Sequence, residues 1–206
     1  MGSKKYFDEV ASNWDKMQDT FFSNKVREVA IETAKVRQGL IAADIGAGTG
    51  FITEELLKHK VKVIAIDQSA EMIEEMKKRF CCCEIDYRTG DAEKLPVKNE
   101  EVDYVFANMY LHHVEDPSTA IKEMVRILRS GGKIVIMDAD EHNYEFLRTE
   151  QHDRWLGFKR SDLIKWYKDA GLKNIKVDCV NADCTPTSQQ SGEQVAISIF
   201  YALGEK

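Results

Sequence analysis

Residues 44–50 read Asp-Ile-Gly-Ala-Gly-Thr-Gly and join an apolar run at residues 40–45 to a helical pattern at residues 51–60. Alternating glycines let this segment, the glycine loop, turn tightly and approach a ligand with no side chain between them. The helix that follows would present free N–H groups at the same point. Because open parallel sheets bind ligands beyond the carboxyl ends of their strands, the glycine loop predicts a binding site. A tight strand-to-helix turn without a ligand is the alternative.

From residue 40 onward, short apolar runs alternate with helical patterns. This alternation predicts crossover units and a parallel sheet. The predicted strands are residues 40–45, 61–66, 84–89, 102–107 and 133–138, and the predicted crossover helices are residues 51–60, 70–80 and 118–129. Apolar residues spaced three and four apart within residues 4–37 predict two amphipathic helices before the sheet begins.

The last part of the chain breaks this rhythm. A helix at residues 161–170 ends at Gly171, and strands at residues 175–180 and 193–203 follow it. The loop between these two strands has no room for another helix, whereas a parallel pair needs a crossover of about a dozen residues or more. The two strands are therefore expected to form an antiparallel hairpin beside five parallel strands.

The composition is that of an ordinary globular chain of 206 residues, with 43% hydrophobic and 31% charged residues. A net charge of −6 argues against nucleic acid as the main partner. No apolar run approaches the ~18 residues of a membrane span, so we expect no membrane association and a cytoplasmic location. The five cysteines include three in a row at residues 81–83, which suits neither a disulfide framework nor a single metal site. No metal site is predicted.

The residues around the glycine loop indicate which ligand it would take. A dinucleotide fingerprint would need a third glycine at position 51, which is Phe51. The Asp44 carboxylate would repel a pyrophosphate but attract a sulfonium or ammonium group. Asp67 closes the second strand 21 residues after Gly46 (67 − 46), where an acidic residue accepts hydrogen bonds from ribose hydroxyls. Helix capping is the alternative role, although Ser69 is also placed to cap that helix. A cationic nucleoside ligand fits best.

Further motifs follow in order: a Gly90–Pro96 run, a Leu111–Val114 turn before Asp116 and Pro117, and a Gly131–Gly132 pair before the fifth strand. Together with the glycine loop, Asp67 and the opening Tyr6, Phe7 and Trp14, they resemble the class I S-adenosylmethionine-dependent methyltransferases of the small type called type 11. The resemblance implies an α/β, Rossmann-like, doubly wound seven-stranded sheet. Its strand order would be 3-2-1-4-5-7-6 with strand 7 antiparallel, helices on both faces and N-terminal helices over the site.

On this basis we predict a single methyltransferase domain over residues 1–206. Residues 1–37 would form a helical cap and residues 38–139 the cofactor-binding core. Residues 140–206 would supply a lid segment, the last helix and the terminal hairpin. The expected partner is a small-molecule methyl acceptor, and the chain is expected to be a monomer or a homodimer.

The cofactor implied by the resemblance is S-adenosyl-L-methionine, with S-adenosyl-L-homocysteine as product. The implied pocket comprises Asp44, Gly46, Ala47, Gly48, Gly50 and Asn108 around the methionine end, Asp67 at the ribose, Gln68 and Met72 beside the adenine, and Asp91 and Ala92 at its amino edge. For Met72, a methionine at helical spacing, a place in the core is the alternative.

The implied activity is an in-line methyl transfer to a small molecule. Alignment alone can supply up to about 7–11 kcal/mol in such reactions, so no conspicuous catalytic motif is expected. His113 is the best-placed candidate for a general base, and a structural role is its alternative. Substrate contacts are expected from Tyr6 and Trp14. Residues 139–158 would form either a solvated lid or a substrate wall.

Three alternatives stay open at this point. Cys179 and Cys184, in a tail resembling those of arsenic-related methyltransferases, would allow methylation of arsenite or another soft acceptor. Met109, however, stands where such arsenite enzymes carry a cysteine. A nicotinamide-dependent oxidoreductase would share the strand, the glycine loop and the acidic strand end. A non-catalytic cofactor-binding domain would explain why no base is obvious.

Overall fold

The computed structural model describes residues 3–21 and 23–206, with the side chains of these residues except 19 and 20. Seven strands form one sheet in the order β3-β2-β1-β4-β5-β7-β6. Their bounds are β1 Ile41–Ile45, β2 Lys62–Asp67, β3 Ile85–Thr89, β4 Val102–Asn108, β5 Leu128–Ala139, β6 Lys173–Cys184 and β7 Ile197–Glu205. Only β7 runs antiparallel to its neighbours, β5 and β6. The strand order and the antiparallel hairpin are confirmed.

Helices cover both faces of the sheet, as expected. They are α1 Ser3–Val10, α2 Trp14–Phe21, α3 Lys25–Ala34, α4 Phe51–Lys58, α5 Ala70–Arg79, α6 Pro117–Ile127, α7 Phe146–Glu150 and α8 Arg160–Asp169. Successive residues of a strand point to opposite faces, so Ala42 joins one apolar cluster, with α3 and α4, and Ala43 joins the other, with α6 and α8. Two hydrophobic cores therefore hold the central strands fixed from both sides.

Several predicted bounds differ from the structure. The first N-terminal helix is divided by a 3-10 turn at Ala11–Asn13, which separates α1 from α2. β5 starts at Leu128 rather than 133, because Leu128 pairs with Val102 ahead of a register shift. β6 extends to Cys184 and β7 begins only at Ile197, while the short helix α7 was not predicted. Residues 1, 2 and 22 of the predicted cap lie outside the described residues.

The first two N-terminal helices, α1 and α2, form a cap over the glycine loop. Trp14, at the start of α2, lies against Gly48. The Thr49 hydroxyl donates a hydrogen bond to the Asp15 carboxylate, and Arg79 of α5 lies 3.4 Å from the same carboxylate. The cap is thus tied to the edge of the sheet where β1 and β2 end. Within the part of the chain described, no helix has both the length and the apolar character needed to cross a membrane.

Candidate active site

The glycine loop needs its glycines for two different reasons. Gly46 and Gly50 have φ angles of +66° and +99°, in the left-handed region that side chains disfavour. A Cβ at Gly46 would lie 2.2 Å from the ring of Tyr110, and a Cβ at Gly50 would lie 2.5 Å from the ring of Phe80. Gly46 thus lets the Tyr110 ring pack directly on the loop, whereas Gly50 allows close packing on Phe80 and on Met76 of α5.

Asp44 is a buried carboxylate at the end of β1, only 1% exposed. Its Oδ2 accepts hydrogen bonds from the backbone N–H (3.0 Å) and the hydroxyl (2.7 Å) of Thr53 in α4. Burial raises the pKa of the Asp44 carboxyl to about 7, although the two bonds from Thr53 act in the opposite direction. A positively charged ligand beside Asp44 would favour the ionised form of its carboxyl.

Asp67 fixes the glycine loop to the end of β2. Its Oδ2 accepts a hydrogen bond from Gly48 N at 2.8 Å, and its Oδ1 accepts one from Ser69 N at 2.9 Å. Burial raises the pKa of the Asp67 carboxyl, partly offset by these backbone bonds. The capping role falls to Ser69, whose hydroxyl accepts from Met72 N at 3.1 Å, as the sequence predicts.

A cavity, the first cavity, lies between the glycine loop and the cap. Phe7, Trp14 and Gln18 form its cap side. Eight of the eleven residues implied for the cofactor line it: Asp44, Gly46, Ala47, Gly48, Asp67, Gln68, Met72 and Asn108. The structure therefore brings most of the predicted pocket together, and the individual contacts to the cofactor stay predictions.

Tyr110 separates the first cavity from the two residues predicted at the adenine amino edge. Its ring covers Gly46, and the backbone of Ala92 lies near its hydroxyl. Burial raises the pKa of this hydroxyl. Asp91 and Ala92 accordingly do not line the first cavity. Sequence reasoning missed Tyr110, because an aromatic residue just after a strand carries no pattern of its own.

A second cavity lies on the other side of Met109, which lines both cavities. Its wall combines the apolar side chains of Leu147 and Ile197 with polar groups from His112, His142, Asp153 and Cys184. The second cavity thus begins where the first ends, at the carboxyl end of β4. Part of the predicted lid segment, residues 139–158, forms its wall.

His112 and His113 follow β4 in a 3-10 turn and are both buried. The His112 Nδ1 lies 2.7 Å from Asp138 Oδ1. Burial alone would lower the pKa of His112, but the carboxylates of Asp138 and Asp153 raise it to about 9. Burial and the neighbouring His112 lower the pKa of His113 well below its ordinary value. His113 lies in the wall of the first cavity, and its role as a base stays a prediction.

The residues predicted to contact the substrate lie in different places. Trp14 lines the first cavity and Cys184 the second, whereas Tyr6 lines a separate cleft against α7 and the loop after β6. Cys179 is half-buried on β6, and its Sγ accepts a hydrogen bond from Asn181 N at 3.2 Å. Of the two cysteines, only Cys184 contributes to the wall of the second cavity.

Comparison with known proteins agrees with this geometry. Residues 43–136 match the family model described as a methyltransferase domain. The chain is 31% identical, over 160 residues, to 2-methyl-6-phytyl-1,4-hydroquinone methyltransferase 2 of Oryza sativa subsp. japonica, a match that covers 76% of this chain and 46% of that protein. These matches support a class I S-adenosylmethionine-dependent methyltransferase. The chain spans about half the length of the plant relatives it matches.

Other methyltransferases match over more of their length or in structure. The ubiquinone biosynthesis O-methyltransferase of Coxiella burnetii is 26% identical over 190 residues, 83% of this chain and 81% of that protein. A phosphoethanolamine N-methyltransferase 2 of Haemonchus contortus, solved with S-adenosylhomocysteine, superposes with a TM-score of 0.72 at 16% identity, covering 89% of this chain and 53% of that one. The structural likeness supports the fold alone.

Proposed function

We propose that the chain transfers a methyl group from S-adenosylmethionine to a small-molecule acceptor bound in the second cavity. The observation that carries this proposal is the pair of cavities that meet at Met109. One has an acid-flanked glycine loop on its wall, and the wall of the other combines apolar side chains with polar groups.

The first cavity fits the cofactor in its chemistry. When bound, S-adenosylmethionine supplies an activated methyl group on a sulfonium. Asp44 would offset positive charge at the methionine end, and the Gly46 backbone, free of a Cβ, would lie against it. Asp67 would accept hydrogen bonds from the ribose hydroxyls. Its two carboxylate oxygens already accept bonds from Gly48 and Ser69, but each has a further lone pair. The Tyr110 ring would have to move off Gly46.

For the acceptor we propose a hydroxylated aromatic ring such as a hydroquinone. The rice relative is named for a hydroquinone and the Coxiella relative for ubiquinone biosynthesis. The second cavity supports this class, because a ring could pack on Leu147 and Ile197 while its hydroxyl groups bond to His112, His142 or Asp153. Alignment between the two cavities would then supply most of the acceleration.

The metalloid alternative finds less support in the second cavity. Burial raises the pKa of the Cys184 thiol to about 12, which keeps it protonated, whereas the thiolate is the ligand for soft ions. Cys179 does not join it in the cavity wall. Arsenite methylation stays a prediction to be tested beside the hydroquinones.

The test has a binding step and a transfer step. By isothermal titration calorimetry we expect S-adenosylhomocysteine to bind and NADH not to bind; the reverse would favour the oxidoreductase. With methyl-labelled S-adenosylmethionine, we expect label transfer to at least one member of a hydroquinone panel. Transfer to arsenite alone would support the metalloid alternative, and no transfer to any acceptor would support the non-catalytic one.

A matched pair of variants locates the acceptor. Cys184→Phe fills the second cavity, so transfer should fall by about tenfold or more while S-adenosylhomocysteine affinity stays unchanged. Cys179→Phe adds the same ring on the same strand outside that cavity and should leave both unchanged. Equal transfer rates in the two variants would show that the acceptor binds elsewhere.

A further inference from the structure

Three side chains with metal-ligand chemistry meet between the two cavities: His112, His113 and Asp153. One ligand atom from each lies within 4.8 Å of the other two. The Asp153 Oδ1 is 3.8 Å from His112 Nε2 and 3.8 Å from His113 Nδ1. All three side chains are more than nine-tenths buried, with 9%, 6% and 8% of their surface exposed for His112, His113 and Asp153.

Two atoms of this cluster, His113 Nδ1 and Asp153 Oδ1, have no hydrogen-bond partner among the described residues. Buried polar atoms are almost always bonded, so a pair left over at one point needs an explanation. A separation of 3.8 Å is too long for a hydrogen bond. Metal–ligand bonds of about 2.0–2.2 Å would place the ligand atoms of a bound ion roughly 3–3.5 Å apart. Bringing the three ligand atoms to this spacing requires separations of at most 4.8 Å to shorten by up to about 1–1.5 Å.

The surroundings of His112 also suit a metal ligand. Asp138 is fully buried, and its Oδ1 lies 2.7 Å from His112 Nδ1, which leaves Nε2 facing Asp153. A carboxylate bonded to the second nitrogen is the usual support of a metal-bound histidine. Among the residues described, neither Asp138 nor Asp153 has an ion pair with a lysine or arginine. The contact of both carboxylates is His112, so a divalent cation bound at Nε2 would take the place of a proton on this imidazole.

We propose that His112, His113 and Asp153 bind one divalent transition-metal ion, for which Zn²⁺ has the best-matched chemistry. Two imidazole nitrogens and one carboxylate oxygen are a common ligand set for this ion, and such three-ligand sites leave a position open. His113 lines the first cavity, and His112 and Asp153 line the second. If the proposed function is correct, the ion adds a Lewis acid to the wall of the acceptor cavity.

The experiment measures metal binding without cofactor or acceptor, so its outcome is independent of methyl transfer. The exposed cysteines at residues 81–83 could bind metal adventitiously, so all three are first replaced by serine. The metal-free protein is titrated with Co²⁺, followed by its visible absorption, and Zn²⁺ is then added in competition. We expect about one Co²⁺ per chain, displaced by Zn²⁺.

Variants assign the ligands. Asp153→Asn and His113→Gln should each weaken Co²⁺ binding by about tenfold or more, and Asp138→Asn by about 10- to 100-fold through His112. His142→Gln, which changes a histidine of the same cavity outside the cluster, should bind Co²⁺ as the parent does. Absence of saturable binding, or equal binding in Asp153→Asn, His113→Gln and the parent, would overturn the proposal.

A second measurement needs no substitution in the cluster and so covers variants that fail to fold. Zn²⁺ should shift the imidazole nitrogen resonances of His112 and His113 in nitrogen-15 NMR spectra and leave those of the exposed His59 in place. Unshifted His112 and His113 resonances at saturating Zn²⁺ would indicate a water molecule, rather than an ion, between the three side chains.

Discussion

The protonation of the Asp44 carboxyl depends both on its burial and on the charge of a bound ligand. With a pKa of about 7, its carboxyl is partly protonated at neutral pH, whereas a bound sulfonium or ammonium favours the carboxylate. Binding at lower pH must therefore release a proton. We expect the affinity for S-adenosylmethionine to rise between about pH 6 and 8, approaching about tenfold per pH unit at the acid end. Calorimetric titration across this range measures it.

The control for Asp44 is Asp44→Asn, which keeps an oxygen for the two bonds from Thr53 but cannot ionise. It should bind more weakly at pH 8 and lack this pH dependence; the same slope in both proteins would assign the proton to another group. The stability of the cofactor-free protein changes with pH in the opposite direction. Because folding raises the Asp44 pKa from an unfolded value of about 4, the stability from this group falls as pH rises from about 4 to 7.

A second prediction for a single residue concerns Tyr110. Its ring covers Gly46, the face that the cofactor is expected to occupy. Tyr110→Ala removes a ring that binding would otherwise displace, so S-adenosylhomocysteine should bind several-fold more tightly by calorimetry. Tyr110→Phe keeps the ring but removes the hydroxyl near the backbone of Ala92, and its affinity should lie between those of the parent and Tyr110→Ala. Weaker binding by Tyr110→Ala would mean that the ring is itself part of the cofactor site.

Individual residues also show how far sequence alone could reach. Asp44, Asp67 and Ser69 could be predicted because each lies at a strand end or helix start whose local pattern is clear. Asp153 lies 41 residues after His112 (153 − 112) in an irregular segment, and no spacing in the sequence indicates that they meet. Contacts of this kind depend on how a loop packs on a finished sheet.

The element with the clearest functional consequence is the cap, α1 and α2. Its polar link to the glycine loop is the bond from the Thr49 hydroxyl to Asp15. Losing a hydrogen bond of this kind typically costs about 0.5–1.5 kcal/mol. Thr49→Val should therefore weaken S-adenosylhomocysteine binding by about two- to tenfold and speed amide hydrogen exchange in α2.

A double-mutant cycle checks that this effect comes from the contact. Asp15→Ala alone should weaken binding at least as much, and the double variant should be little worse than Asp15→Ala. Additive losses would mean that the two side chains act separately. Asp15 also lies near Arg79 of α5, so its single variant is expected to have the larger effect of the two.

At the scale of whole elements, periodicity predicted strand identity better than strand ends. The hairpin of β6 and β7 follows from a loop too short for a crossover, and its direction is confirmed. Its ends are set by pairing: β6 has irregular register between Cys179 and Asp183, which carries the strand on to Cys184. Because register shifts arise from cross-strand contacts, the sequence of one strand does not reveal them.

Across the whole molecule, the first cavity draws its walls from distant parts of the chain. Trp14 comes from the cap, Asp44 and Asp67 from β1 and β2, and Asn108 from β4. Parallel order makes the strand contributions predictable, because neighbouring carboxyl ends meet at one edge of the sheet. The second cavity was not predictable in the same way, since it needs α7 and the antiparallel β7 to close it.

A cavity built from so many elements should link cofactor binding to the stability of the whole fold. At about 100 times its dissociation constant, a ligand that binds only the folded state adds about 2.7 kcal/mol. For a chain of this length that corresponds to a rise of about 5–10 °C in the unfolding midpoint. We expect S-adenosylhomocysteine to produce this rise in calorimetric scans and NADH at the same concentration to produce none. With the ligand concentration held fixed, the rise should be smaller at about pH 6 than at pH 8, because Asp44 must then lose a proton on binding. An equal rise in the unfolding midpoint at both pH values would show that the ligand stabilises the fold independently of the charge on Asp44.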